Sequence, residues 1–309
     1  MRPETVESAI AAMMTLIMAL ATGGGAMGEG ASGSAPVIGT VVAKGAFRLD
    51  NATVTGNATL FEGATIETKS AESHLELSSG AKVLLGAESK ARFYGDHMTL
   101  EKGDGQLEKA SGFRLEARGL TIQPETGNAS ARVALAGSAR VELAALSGSF
   151  RVLNARGVLV ANVGAGRALA LEPQVSETTT KLAGPLSKVG GHYLLTDEIT
   201  NVTVELTGQG LAKEVGNRVE ITGTMDPTAT PVTDASQVIR VKEVKRLGKG
   251  TAGSPGAAAG GGTVGGGGHL AISATTIAII GGVAAAATLG GLAAAGKLPG
   301  QGSPAPISR

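Results

Sequence analysis

The chain contains no cysteine and no tryptophan, and aromatic residues make up 2% of its 309 positions. The absence of cysteine excludes a disulfide framework, a thiolate metal site, a cysteine nucleophile and a lipid-modified N-terminal cysteine. The shortage of aromatics argues against a cleft that stacks sugar rings and against a platform that stacks nucleic-acid bases. No excess of one charge exists either: 27 Lys and Arg against 26 Asp and Glu leave a formal net charge of +1. That balance supplies no bias toward nucleic acid or anionic lipid. The four histidines, His74, His97, His192 and His269, lie far apart. Glycine is abundant, at 48 residues, beside Val, Leu, Ile and Ala. Cores of small aliphatic residues broken by glycine turns imply many short strands rather than large packed helices.

Two uncharged stretches frame the chain. Residues 9–21 (AIAAMMTLIMALA) have the length of the apolar region of an export signal and are short for a spanning helix. Ala19, Leu20 and Ala21 form a small-x-small cleavage pattern, while Arg2 ahead of the run is offset by Glu4 and Glu7. Residues 1–21 therefore read as a signal peptide, and 22–36, small and polar, as a flexible leader. Near the other end, 270–296 carry no charge and follow a Gly/Ala/Ser/Pro linker at 249–269. A helix of that length rises about 40 Å, more than the ~30 Å of a hydrocarbon core. The expectation is a C-terminal transmembrane helix followed by a short tail at 297–309. Ala278, Gly282, Ala286, Gly290 and Ala294 recur every fourth residue. On a helix they line one smooth face, the pattern that lets membrane helices approach and self-associate.

Between these ends the patterning is that of strands. In His74-Leu75-Glu76-Leu77 the apolar side chains point one way and the polar ones the other, the period of a half-buried strand. Arg132-Val133-Ala134-Leu135 and Arg140-Val141-Glu142-Leu143 nearly repeat across an Ala-Gly-Ser turn, which predicts a hairpin with Val133, Leu135, Val141 and Leu143 on one face. The fold class expected is mainly β: a multi-strand β domain over 37–178 with β-sandwich character, then a small β barrel over 179–248. Within the second, Leu211 to Gly216 fits one helical turn with a glycine cap, and Asp226-Pro227 and Thr230-Pro231 make a loop.

The first of these regions resembles a FecR-type domain, the periplasmic portion of bacterial signal-transducing regulators. The likeness rests on Glu62-Gly63-Ala64-Thr65-Ile66-Glu67-Thr68, Leu75-Glu76-Leu77-Ser78-Ser79-Gly80-Ala81-Lys82-Val83, Leu85-Gly86-Ala87-Glu88-Ser89-Lys90 and Leu100-Glu101-Lys102-Gly103-Asp104-Gly105-Gln106-Leu107. Gly148 to Val152 and Gly164 to Leu169 fit the closing strands. The resemblance implies protein partners in the cell envelope. It departs from the family in one respect: only eight residues stand before the first apolar run, so a sigma-factor-handling activity is not expected to carry over. The second region, with a Tyr-x-Leu-x-Asp opening at Tyr193 and a Val-Gly-x-x-Val-x-Ile-x-Gly centre at 215–223, is similar to small bacterial OB-like domains.

No constellation for catalysis emerges. Asp96-His97 could orient an imidazole, but adjacent residues of one strand face opposite sides. The carboxylates Glu62, Glu67, Glu76, Glu88, Asp96, Glu101 and Asp104 are spread along polar faces of the expected strands. Lys242, Lys245, Arg246 and Lys249 read as a charged strand edge that discourages edge-to-edge pairing. The chain is accordingly expected to be a non-enzymatic, exported envelope protein anchored by its C-terminal helix. It is expected to have no cofactor, no metal and no nucleic-acid partner, and to bind or scaffold other envelope components. Two alternatives remain open: a self-associating structural surface protein, and a hydrolase whose site is assembled from residues distant in sequence.

Overall fold

The computed structural model describes residues 35–173, 179–232, 234–249, 278–280 and 282–287. The expected signal peptide and tail, and nearly all of the leader and linker, lie outside the described residues. The described chain is mainly β, with one short 3-10 helix at Leu211–Lys213.

Strand β1 (Val37–Leu49) organises the first part. One side pairs with β2 (Ala52–Phe61) over nearly its whole length. Its other side forks: Gly39 to Ala43 pair with β4 (Ser73–Leu77), and Phe47 to Leu49 pair with β3 (Thr65–Thr68). Two ladders grow from the fork. One continues from β4 through β5 (Lys82–Leu85), β8 (Asp104–Lys109), β11 (Ser130–Ala136) and β12 (Arg140–Ser147) to β15 (Ala168–Pro173). The other continues from β3 through β6 (Lys90–Phe93), β7 (His97–Lys102), β9 (Arg114–Ala117), β10 (Leu120–Pro124) and β13 (Phe150–Leu153) to β14 (Leu159–Val163). The pairings are antiparallel except β7 with β9.

Alternation decides which face each strand buries. In β4 the exposures alternate residue by residue, with Leu75 and Leu77 inside and His74 and Glu76 outside. The β11–β12 hairpin forms in the expected register, Val133 opposite Leu143 and Leu135 opposite Val141. The buried faces of both ladders share one apolar cluster, in which Phe47, Phe93, Phe113 and Phe150 are the bulkiest members. Removing each such ring from water is worth roughly 1.5–3 kcal/mol, so four phenylalanines carry a large part of a core otherwise made chiefly of Ala, Val, Leu and Ile.

The second part uses five strands: β16 (Thr179–Val189), β17 (His192–Thr196), β18 (Thr203–Thr207), β19 (Asn217–Met225) and β20 (Val238–Lys249). Their pairings form a closed circuit, β16–β17–β18–β20–β19–β16, in which only β18 and β20 run parallel. The 3-10 turn falls between β18 and β19, and Leu211 within it is buried. The two parts meet at the turn 197–200. The Asn162 amide donates to the Thr200 carbonyl at 2.7 Å. The Arg167 guanidinium donates to the carbonyls of Glu198 and Ile199 at 3.1 and 3.0 Å.

The C-terminal apolar segment corrects the sequence expectation. A helix over 270–296 was expected, but the described residues within it are strands, β21 (Ala278–Ile280) and β22 (Val283–Ala287). They form a hairpin, with Ala278 opposite Ala285 and Ile280 opposite Val283. β22 adds to β15 from Leu169–Ala287 to Pro173–Val283, and Ile279 of β21 pairs with Lys181 of β16. Three physical terms favour the hairpin. Ile279, Ile280 and Val283 are β-branched and suit strands. Gly282, at φ 78, takes the left-handed turn conformation that glycine adopts without strain. Alanine and glycine drive insertion into lipid only weakly, whereas docking here buries Ala278, Ile280, Val283 and Ala285 to within 2% of full burial. No helix among the described residues is long and apolar enough to cross a membrane, which says nothing of membrane crossing by strands.

Candidate functional site

The four-residue strip expected along a membrane helix does not form a strip where it is described. Ala278 is buried in β21, Gly282 sits in the hairpin turn, and Ala286 lies in β22 opposite Ala170. Gly290 and Ala294 lie outside the described residues.

The polar clusters have local partners. Asp96 and His97 do meet, contrary to the expectation from strand alternation, because Asp96 precedes β7 in a bend and only His97 belongs to the strand. The Asp96 carboxylate reaches His97 Nδ1 at 2.7 Å and also pairs with Arg114. The His97 ring stacks on Tyr94 with centroids 4.4 Å apart. The hydrogen bond from His97, helped by the Arg114 charge, holds the Asp96 carboxyl below its usual range. A second pair joins His192 Nδ1 to Glu205 at 2.7 Å. Glu205 also accepts the Val232 amide at 3.1 Å, and its carboxyl is held low chiefly by the His192 hydrogen bond. His74 is exposed on β4, opposite Val42 and Leu84, and His269 lies outside the described residues. Among the described residues no three His, Asp or Glu side chains are grouped to hold a metal ion. A shallow depression of about 200 Å³ is lined by Thr224, Met225, Asp226, Pro227 and Arg240, and the Asp226–Arg240 ion pair at 2.9 Å occupies its polar wall.

Two buried polar side chains behave differently. Asp197 is fully buried, yet its carboxylate accepts four hydrogen bonds. Ala183 donates to Oδ1 at 3.0 Å, while the Ile199 amide, the Thr200 amide and the Thr200 hydroxyl donate to Oδ2 at 3.2, 2.8 and 2.8 Å. This side chain shapes the turn that receives Arg167 and Asn162, so its role is structural. Gln237 is 5% exposed, and neither its amide nitrogen nor its amide oxygen meets a partner among the described residues. Leaving a buried donor or acceptor unpaired costs about 1–3 kcal/mol. Gln237→Leu is therefore expected to raise stability by about 1 kcal/mol, read as a higher urea midpoint at unchanged slope. A lower midpoint would mean that the amide is satisfied.

What remains is the backbone at the sheet edges. An uncovered strand edge presents a row of unpaired N–H and C=O groups and invites another strand. The β14 edge is met by the turn 197–200, through Asn162 and Thr200. The β15 edge is covered by β22. The outer side of β20 beyond Arg240 carries Lys242, Lys245, Arg246 and Lys249, charges that blunt an edge. β2 has neither a covering strand nor a charge among the described residues; its register against β1 shifts at Thr55–Asn57, where Gly56 takes φ 86. Among the described residues it pairs with β1 alone. Its ten residues, ATVTGNATLF, contain no charge and no proline. Thr53, Thr55, Asn57, Thr59 and Phe61 alternate as exposed positions along it. At one end Phe61 lies opposite Val37, and the two are 41% and 57% exposed, an apolar pair beside the open backbone. A strand of this length spans about 33 Å, and the irregularity at Gly56 divides its open side into two shorter stretches, 52–55 and 57–61, each able to pair with an extended segment. The sequence signal for this edge is the uncharged run 52–61 itself, which strand-by-strand reading passes over because a polar-apolar alternation looks the same on an edge strand and on a central one.

No family model matches the chain, and no curated protein matches it. Among solved structures, a proposed anti-sigma factor from Parabacteroides distasonis ATCC 8503 is similar over 37% of this chain, at 14% identity and a TM-score of 0.31. The matched region spans 57% of that protein's chain, and a likeness so slight defines neither fold nor function.

Proposed function

We propose that this chain is a non-catalytic interaction module whose β2 edge takes up an extended, uncharged segment of a partner protein by strand addition. The observation that carries the reading is that, among the described residues, β2 is a long, neutral edge strand paired on one side alone, while β14, β15 and β20 are capped or charged. In strand addition, main-chain hydrogen bonds supply affinity and side-chain pockets supply selectivity. Here the exposed Val37–Phe61 pair supplies an apolar contact at one end. The resemblance of 56–172 to FecR-type domains supports protein partners as the ligand class, by analogy alone. The closed circuit β16–β17–β18–β20–β19, with its short helical turn between β18 and β19, supports reading 179–248 as an OB-like barrel. We place the protein in the cell envelope on the export-signal character of 9–21. Fractionation with protease protection checks that placement, and a protected cytoplasmic product would contradict it.

The binding claim has a direct test. The probe is a fluorescent, uncharged peptide alternating Thr and Val, matched to β2 in length. It is expected to bind the native chain and to bind Thr55→Lys/Thr59→Lys about tenfold more weakly or worse, since lysines on an edge strand discourage pairing. Equal binding by both proteins would place the contact elsewhere.

A further inference from the structure

The slot beside β15 is defined by what fills it. β15 has β12 on one side, and the β21–β22 hairpin on the other. Five consecutive residue pairs hold β22 to β15, and Ile279 of β21 reaches Lys181 of β16. The hairpin thus links β15 to β16 through its own two strands. Its side chains are small or β-branched, and those of Ala278, Ile280, Val283 and Ala285 join the shared apolar core. Interiors are packed closely enough that bulkier residues would not enter this space without displacing their neighbours. If the hairpin left, the outer N–H and C=O groups of β15 would lose their partners and the apolar faces beneath would meet water. The slot therefore requires an occupant of this chemistry: an uncharged hairpin rich in alanine and β-branched residues.

Nothing in the contact depends on which molecule supplies that hairpin. The described chain before it ends at Lys249 in β20, and the intervening sequence 250–277 is rich in glycine. At full extension such a stretch covers about 90 Å, several times the distance across a sheet of a few strands.

We infer that the β21–β22 hairpin is exchanged between copies of this chain, the β15 edge of one copy accepting the hairpin of another. Exchange of an identical element is a low-cost route to association, because the exchanged contacts are those the monomer already makes. A reciprocal exchange closes a dimer, and a one-way exchange adds copies head to tail. A tethered hairpin competes at an effective concentration in the millimolar range, so exchange is favoured where copies are held at comparable density, as on a surface. The inference does not rest on strand addition at β2: the two edges share no residue, and either can fail alone.

The absence of cysteine makes the test clean. Ala170 and Ala286 are register partners, and directly opposed residues lie about 4.5–5.5 Å apart at Cα, within reach of a disulfide. Ala170→Cys and Ala286→Cys, prepared as separate full-length proteins with different tags, are mixed at about 1 mM and then oxidised. The expected result is a mixed-tag disulfide dimer about tenfold more abundant than from Ala170→Cys mixed with Val189→Cys, an exposed position out of register. The double variant Ala170→Cys/Ala286→Cys, oxidised at high dilution, is expected to form the bond within one chain. An internal bond in the double variant with no excess of mixed dimer would confine the hairpin to its own chain and overturn the inference. Failure of the internal bond would overturn it too, because the hairpin would then not occupy the β15 edge.

Discussion

Asp197→Ala is expected to cost about 3–4 kcal/mol of folding stability, among the largest losses available to a single polar side chain in this protein. The loss arises from what the substitution leaves behind. The amides of Ala183, Ile199 and Thr200 and the Thr200 hydroxyl all donate to the one carboxylate, which is fully buried. Each donor left without a partner costs about 1–3 kcal/mol, and the four losses overlap because the turn can partly relax. The damage reaches beyond the turn, since Arg167 and Asn162 bind its carbonyls from the first part of the chain. Urea denaturation at neutral pH measures it, and a loss below about 1 kcal/mol would mean that the turn holds its shape without the carboxylate.

The same residue has a pH signature. Burial pushes the Asp197 carboxyl above its usual range, against the pull of its four hydrogen bonds. A carboxyl that takes up its proton more readily folded than unfolded contributes stability that is fully present below the unfolded value, about 3.9, and is lost as pH rises through the folded value. Asp197→Asn cannot titrate. It also turns an amide NH₂ toward at least one N–H donor, so it is less stable than the native chain in acid. Its deficit is expected to shrink as pH rises from about 3.5. Glu205 runs the other way: its lowered carboxyl contributes stability above its unfolded value and loses it as pH falls. That term is common to both proteins and cancels in the difference. A deficit that widens with pH would contradict the role assigned to burial.

Gly184→Ala is expected to cost about 3 kcal/mol, through crowding rather than lost bonds. A Cβ at this position of β16 would be driven into the backbone carbonyl of Thr196. Neither backbone can retreat freely. Gly184 pairs with Val219 of β19, Thr196 pairs with Thr203 of β18, and the Asp197 amide is bonded to the Val202 carbonyl. Moving one strand of a closed circuit disturbs all five. The control is Gly157→Ala, where nothing lies within 4 Å of the added carbon and only the positive φ resists it. Its expected cost is about 1–2 kcal/mol. A Gly184→Ala loss no larger than that of the control would show that the close approach is softer than described.

The contrast between local and distant pairing explains how much of this fold is legible in the sequence. β4 and the β11–β12 hairpin are readable because alternation and turn residues act within a few positions: Leu75 and Leu77 point inward, and Val133 meets Leu143. The fork in β1 is not readable, because its two halves choose partners, β4 and β3, by their fit to separate ladders. The parallel contact of β18 with β20 brings together residues more than thirty positions apart, such as Glu205 and Val238. The residues 270–296 are the sharpest case. Their lack of charge suits a bilayer and a buried hairpin equally. What separates the two is a vacant edge on β15, more than a hundred residues earlier in the chain, and three β-branched residues around a glycine turn. Asp96 and His97 carry the same lesson at short range, since one bend residue before β7 undoes the alternation rule.

β2 was hidden for a related reason. Its threonines and alanines give an ordinary half-buried pattern, and only the full set of pairings reveals that no strand among the described residues pairs with its outer side. This side is where we propose that a partner segment adds. Backbone hydrogen–deuterium exchange of the full-length chain, with and without the Thr/Val peptide, tests it most directly. Fast exchange is expected at alternate amides of Ala52–Phe61 in the free chain, slowed about tenfold or more at saturating peptide, with β14 and β15 unchanged. Protection already present at β2 without peptide, or protection that appears at β14 or β15 instead, would contradict it.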